Sequence, residues 1–351
     1  MNKLTAESID LLRRMIAVPS ESFGEEAVAG LLYDTLDGWG LAPARYRNNI
    51  VCKCSPYSPG KKTLVLDAHI DTVQAASGYT RDPYDAGDDD GIIYGLGSND
   101  DGGSVAAMIA AFRFFYGKDL PVNLVLSLSA EEERSGKEGA SMLFGPEGPA
   151  EVRDADWVII GEPTGMKAAV RERGLLVLDG IAEGVSGHAA RNEGINALYI
   201  ALEDIERLRK YDKERLTVTQ INAGTAHNVV PDKCSFVVDI RPEGGRSNEE
   251  ILEELQGLCR SRLTARNLTN RSSATYEGSP LLRTLEEMGI GTFASPTTSN
   301  WMRTGKDAIK MGPGESSRSH GADEYILCSE IEKGIEIYID FIGEFYGNIV
   351  E

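Results

Sequence analysis

Positive charge is scarce in this sequence. Against 55 Asp and Glu stand 36 Lys and Arg, a formal net charge of -19 over 351 residues. So acidic a chain repels nucleic-acid phosphates and anionic lipid, and neither nucleic acid nor a membrane is expected as a partner. Long apolar runs are missing as well: none approaches the roughly 20 residues a spanning helix needs. The opening Met1-Asn2-Lys3-Leu4-Thr5 leads straight into an amphipathic pattern without a signal-peptide core, so a cytoplasmic location is expected. Cysteine is sparse and badly spaced. Cys52, Cys54, Cys234, Cys259 and Cys328 are odd in number and contain no Cys-x-x-Cys, which excludes a disulfide framework and a zinc ribbon and fits a reduced compartment. A third glycine is absent from the one dinucleotide-like loop. Gly95-Leu96-Gly97 begins correctly, but the third position is Asp100, whose carboxylate would repel a pyrophosphate.

What is present is a soluble globular composition, 41% hydrophobic and 26% charged, at a length suited to about two domains. Apolar runs at Leu64-Val65-Leu66, Val122 to Ser129 and Trp157 to Ile160 read as buried strands, separated by helical patterns such as Val105 to Phe115. Alternation of this kind predicts an α/β fold with a mainly parallel sheet. Residues 74–94 read as a polar loop with a short hairpin. From about Arg173 to Leu282 the rhythm changes. A strand, a helix over Gly194 to Leu208, two strands and a helix over Asn248 to Leu263 make a compact α+β unit. The predicted organisation is a catalytic domain of residues 1–172 and 283–351 with an inserted domain of residues 173–282.

Chemistry gathers at the carboxyl ends of strands in such sheets. His69 and Asp71 follow the first buried strand, two residues apart and therefore on one side of an extended backbone. Glu131-Glu132-Glu133 ends the second; adjacent residues point apart, so one Glu can bind a cation while its neighbour faces a substrate. Glu162 follows the third strand, and His320 sits in a Gly/Ser-rich loop. Two imidazoles with several carboxylates suit Zn²⁺, with Mn²⁺ or Co²⁺ as alternatives.

In this order, His69-Ile70-Asp71, Gly95-x-Gly97-x-x-Asp100-Asp101-x-Gly103, Ser129-Ala130-Glu131-Glu132-Glu133, Gly161-Glu162-Pro163-Thr164, Gly187-His188-Ala189, Asn228-Val229-Val230-Pro231, Asp239-Ile240-Arg241 and Gly312-Pro313-Gly314 with His320 and Asp323-Glu324-Tyr325 resemble one family. It is the co-catalytic zinc family of aminoacylases and carboxypeptidases that includes acetylornithine deacetylase and succinyl-diaminopimelate desuccinylase. The resemblance covers essentially the whole chain. It implies two Zn²⁺ per subunit, with Asp100 bridging, His69 and Glu162 completing one site, and Glu133 and His320 the other. It implies Glu132 as general base, Asp71 orienting His69, and a cis Asp100–Asp101 peptide. It further implies that the inserted domain acts as lid and makes a homodimer contact, with His188 and Asn228 serving the partner's site.

Arg173 and Arg241 are candidates for holding a substrate carboxylate through paired hydrogen bonds. The family often has Asp where this chain has Asn300, so an acidic contact there is not expected. The function implied is zinc-dependent hydrolysis of a small N-acyl amino acid by water, with N-acetylornithine and arginine biosynthesis leading. N-succinylornithine, N-acetylcitrulline, N-acetyl-lysine, succinyl-diaminopimelate or a dipeptide are alternative substrates. A metal-bound, non-catalytic binding protein is the alternative outside enzymes.

Overall fold

A computed structural model describes residues 3–87, 90–191, 193–244 and 246–350. It divides into two compact units, one of Met1–Arg171, Ala274–Ala294 and Ser299–Glu351, the other of Glu172–Ser273 and Ser295–Thr298.

The first unit is built on a mixed sheet with a parallel centre. Thr63–His69 pairs parallel with Asn123–Ser129 on one side and Trp157–Ile160 on the other, and Trp157–Ile160 pairs parallel with Asp307–Lys310. Antiparallel strands flank this centre: Asn49–Lys53 beside Asn123–Ser129, and Ala168–Glu172 beside Asp307–Lys310. The α/β class with a mainly parallel central sheet therefore holds. Every residue of Thr63–His69 is buried, because helices cover both faces. Leu64, Leu66 and Ala68 enter a core shared with the helices Lys3–Ile16, Gly102–Phe115 and Cys328–Val350. Val65 enters the opposite core with Leu143, Val152 and Trp301.

The second unit is a four-stranded antiparallel sheet in the order Arg215–Ala223, Lys233–Arg241, Leu176–Glu183, Arg262–Ala265. Alternate residues of its strands (Leu176, Leu178, Phe236, Val238) pack with Ala201 and Leu208 of helix Ala197–Arg209 and Ile251 and Leu255 of helix Asn248–Leu258.

Three boundaries differ from the sequence reading. The helix from Asn248 stops at Leu258, and Arg262–Ala265 is a strand: Leu263 is buried and its amide donates to Gln256 Oε1 at 2.8 Å. The inserted span closes at Ser273 rather than at 282, since Leu281 and Leu285 of helix Pro280–Glu287 belong to the core of the first unit. Within 74–94 there is no local hairpin among the described residues; Ile92–Tyr94 pairs instead with the distant Tyr325–Leu327, and positions 88 and 89 lie outside the described residues.

Candidate active site

The parallel centre delivers its strand ends to one edge of the first unit. His69 closes Thr63–His69, the Glu131–Glu133 turn follows Asn123–Ser129, and Gly161-Glu162 follows Trp157–Ile160. Asp100 comes from the tight turn ahead of helix Gly102–Phe115. His320 comes from the loop between Ser316–Arg318 and Tyr325–Leu327.

These side chains converge. Asp100 turns one carboxylate oxygen to each histidine: Oδ1 lies 3.2 Å from His69 Nε2, and Oδ2 lies 3.6 Å from His320 Nε2. His320 Nε2 is also 3.0 Å from Glu133 Oε1. Ligand atoms of His69, Asp100 and Glu133 lie within 4.8 Å of one another, as do those of His69, Glu132 and Glu162. The Asp100–Asp101 peptide is cis.

Asp71 works on two neighbours. Its backbone oxygen lies 2.9 Å from His69 Nδ1, which leaves Nε2 facing Asp100. Its carboxylate accepts the amides of Glu132 and Glu133 at 3.0 and 3.1 Å and the Ser22 hydroxyl at 2.7 Å. Thus the residue expected to orient the histidine also holds the glutamate turn.

Electrostatically the cluster is overloaded with negative charge. Burial pushes the Glu162 carboxyl up to about 8, with Asp100 and Glu133 adding repulsion. Burial likewise holds Glu132 well above the usual carboxylate range, reinforced by Glu162 and Glu133. Burial alone would lower His69, but Asp100 and Asp71 outweigh it and raise the imidazole. Hydrogen bonding to Glu133 lifts His320 to about 9. Carboxylates this crowded either keep protons or share a cation, and two imidazoles with Asp and Glu oxygens are donors that divalent transition metals accept. The residues present fit a dinuclear centre.

The remaining sequence candidates lie in the second unit. Gly187–His188 pairs antiparallel with Val229–Val230, and the Ala189 amide donates to the Asn228 carbonyl at 3.1 Å, so His188 and Asn228 are neighbours there. The Ala190 amide donates to His188 Nδ1 at 3.2 Å, which places the imidazole proton of the neutral ring on Nε2. Arg173 is clamped by Glu243. Arg241 forms a fork with Asp239 at 2.8 and 3.1 Å and lines a cavity of about 420 Å³ with Arg215, Thr217, Thr219 and Thr297.

The sequence points to Asn300 only as a departure from the family's Asp, and it gives no role to Asn99, Glu324 or Arg303. Asn300 is buried and donates to Asp67 Oδ2 at 3.2 Å and Ser129 Oγ at 2.9 Å. It is packed structure at the strand ends, and its partner Asp67 carries no motif that would announce it. Asn99 and Glu324 bracket the His320 loop: Asn99 accepts the Glu315 amide, and Glu324 accepts the amides of Gly97, Asn99 and Asp100. Arg303 is half-buried, with Glu132 as its charged counterpart.

A sequence profile of peptidase family M20/M25/M40 matches residues 65–344. The chain belongs to that family. As a family member it is a metal-dependent hydrolase of amide bonds. Among curated relatives, a succinyl-diaminopimelate desuccinylase of Xanthomonas campestris pv. campestris is 28% identical, over 94% of this chain and 96% of that protein. A putative LysW-lysine/LysW-ornithine hydrolase of Pyrobaculum aerophilum is 26% identical, over 95% and 97%. The fold recurs in an M20 metallo-carboxypeptidase of Sulfolobus solfataricus (TM-score 0.77, 17% identity, 99% of this chain and 100% of that chain). It recurs too in a dinuclear metal-binding M20 peptidase of Bacillus subtilis (TM-score 0.74, 13% identity, 99% and 98%).

Proposed function

We propose that this M20 hydrolase removes the N-acyl group from an amino acid, with N-acetylornithine as the leading substrate. The observation that carries the metal-centre part of the reading is the two-sided Asp100 carboxylate, one oxygen toward His69 and the other toward His320. His69, Asp100 and Glu162 would hold one Zn²⁺, and Asp100, Glu133 and His320 the second; Co²⁺ or Mn²⁺ suits the same donors. When bound, such a pair polarises the scissile carbonyl and acidifies the attacking water.

The chain's own groups carry the protons. Glu132, fixed through its amide by Asp71, takes the proton from the attacking water and returns it to the leaving amine nitrogen. His188, with its proton on Nε2, donates to the oxyanion that forms from the amide carbonyl, and Asn228 supports it. Arg241, which lines the cavity with Arg215, receives the substrate carboxylate in place of its Asp239 partner; both sequence candidates are ion-paired, and Arg173, paired with Glu243, is the second choice because it is not among that cavity's lining residues.

The inserted unit serves as lid and as homodimer contact, so that His188 and Asn228 of one copy complete the site of another. Supporting this, Val185, Ile195, Tyr199, Leu202 and Ile221 of that unit are exposed apolar side chains, and Arg215–Ala223 is an edge strand of its sheet. Among the described residues no helix is long and apolar enough to cross a membrane. A cytoplasmic role in arginine biosynthesis is part of this reading. A second acyl group is favoured by one finding, the desuccinylase at 28% identity.

The test is a panel of N-acetyl- and N-succinyl-ornithine, -citrulline and -lysine with succinyl-diaminopimelate, assayed with zinc-loaded protein. N-acetylornithine is expected to give the highest kcat/KM. Equal rates across the panel would overturn the choice of substrate, and no hydrolysis of any member would overturn N-deacylation.

A further inference from the structure

The loop that carries His320 and the turn that carries Asp100 are tied together by one buried carboxylate. Glu324 Oε1 accepts the backbone amides of Asn99 and Asp100, both at 2.9 Å, and its Oε2 accepts the amide of Gly97 at 3.0 Å. Its main-chain oxygen accepts the Gly95 amide at 2.8 Å. Three of those amides belong to a turn that only its sequence permits: Gly97 sits at φ +74°, and a Cβ there would lie 2.5 Å from Thr72 Cγ2. On the other flank of His320, Asn99 Oδ1 accepts the Glu315 amide at 2.9 Å, and its Nδ2 donates to the Glu315 carbonyl at 3.1 Å. His320 itself has left-handed backbone at φ +60° and a side chain that is 55% exposed. Its imidazole meets Glu133 at 3.0 Å, Asp323 accepts from Thr80 and Arg318 pairs with Glu330, and the loop is held on both flanks by residues 97–100.

From this geometry we propose that Glu324 is a positioning residue that couples the two ligands Asp100 and His320, so that the ion held by His320, Glu133 and Asp100 depends on it. The inference rests on the dinuclear reading above. A carboxylate is the group such a turn requires, because it can accept all three amides while glutamine offers an NH₂ group to one of them. The loss is expected to fall on one ion more than the other. His69 is anchored separately, by its strand and by Asp71, whereas the loop of His320 shares its anchoring with the turn that carries Asp100.

The experiment is stepwise Zn²⁺ binding by chelator competition on the full chain and on Glu324→Gln, without substrate. Asp204→Asn serves as the control. Asp204 is also a buried carboxylate accepting backbone amides, those of Arg260 and Ser261, but it lies in the second unit. In Glu324→Gln the weaker Zn²⁺ equivalent is expected to lose tenfold or more in affinity, the tighter one less than threefold. Asp204→Asn should change melting temperature without changing either affinity. Unchanged binding of both equivalents in Glu324→Gln, or equal loss of both, would overturn the proposal. A parent chain that binds no Zn²⁺ at all would instead sink the dinuclear reading. Should Glu324→Gln not fold, hydrogen exchange on the parent chain decides. Amides 97–100 and 319–324 must gain protection together at the second Zn²⁺ equivalent; protection of one segment alone refutes the coupling.

Discussion

The carboxylate of Asp71 lies 3.0 Å from the amide nitrogen of Glu132. A side chain at the end of one strand thereby sets the backbone from which the proposed base projects, at the end of the neighbouring strand. Asp71→Asn exchanges one of the two accepting oxygens for a donor that faces an amide. Activity is expected to fall about 10–100-fold, the range for groups that orient metal ligands, with Zn²⁺ content retained. Steady-state kinetics and metal analysis on the same preparation check this.

Glu132→Gln removes the base and keeps its volume. The expected result is a loss of about 10²–10⁴ in kcat, with the metal content of the parent chain retained. A variant with wild-type turnover would mean that another group moves the proton.

Removing the metal should make the protein's stability depend on pH in a defined direction. Burial raises Asp67 to about 6, Glu324 to about 7 and Glu162 to about 8. An acid whose pKa is higher in the folded chain than in the unfolded one binds more protons when folded. Its contribution is therefore greatest at low pH and is lost as pH rises through the folded value. The raised imidazoles of His69 and His320 act in the same direction. In chelator, the melting temperature should fall between pH 5 and pH 8. Saturating Zn²⁺ should reduce or reverse that fall, since it binds the deprotonated ligands.

The buried pair Asp67 and Asn300 gives a charge-exchange test. Asn300→Asp places a second carboxylate 3.2 Å from Asp67 and removes the donor between them. Near neutral pH this should destabilise the fold by about 3 kcal/mol, the scale of an uncompensated buried charge. Adding Asp67→Asn should recover most of the loss. Urea unfolding of the two single variants and the double variant completes the cycle; a purely additive double variant would mean that the pair is not coupled.

For the proposed carboxylate site, Arg241→Ala should raise KM about tenfold or more with a smaller change in kcat, as expected for a lost charge-assisted hydrogen bond. Arg173→Ala should change KM less, because Arg241 and not Arg173 lines the proposed cavity. Initial-rate kinetics on the preferred substrate distinguish the two.

The parallel centre was legible because its strands carry the apolar runs Leu64–Leu66, Leu124–Leu126 and Trp157–Ile160, which is what burial on both faces demands. The metal-ligand candidates were legible for a related reason: His69, Glu133 and Glu162 follow those runs directly. Less visible were side chains whose work is to bond backbone. Glu324 looks in sequence like any surface glutamate, and only the turn at 97–100 explains why a charge is buried there. Asp67 sits inside an apolar strand and is accounted for by Ser127, Ser129 and Asn300, each remote in sequence. The apolar period from Asn248 continues into Leu263 and so predicts a longer helix than forms, because the chain turns at Cys259 to make a strand.

Asp307–Lys310 occupies the slot between Trp157–Ile160 and Ala168–Glu172. During synthesis the central sheet therefore stays incomplete until the whole inserted unit has been made and this late segment emerges. A chain arrested before it would expose the apolar edge of Trp157–Ile160, an open template for pairing with another nascent copy. Premature termination ahead of Asp307 would then yield aggregated protein rather than a partly active enzyme.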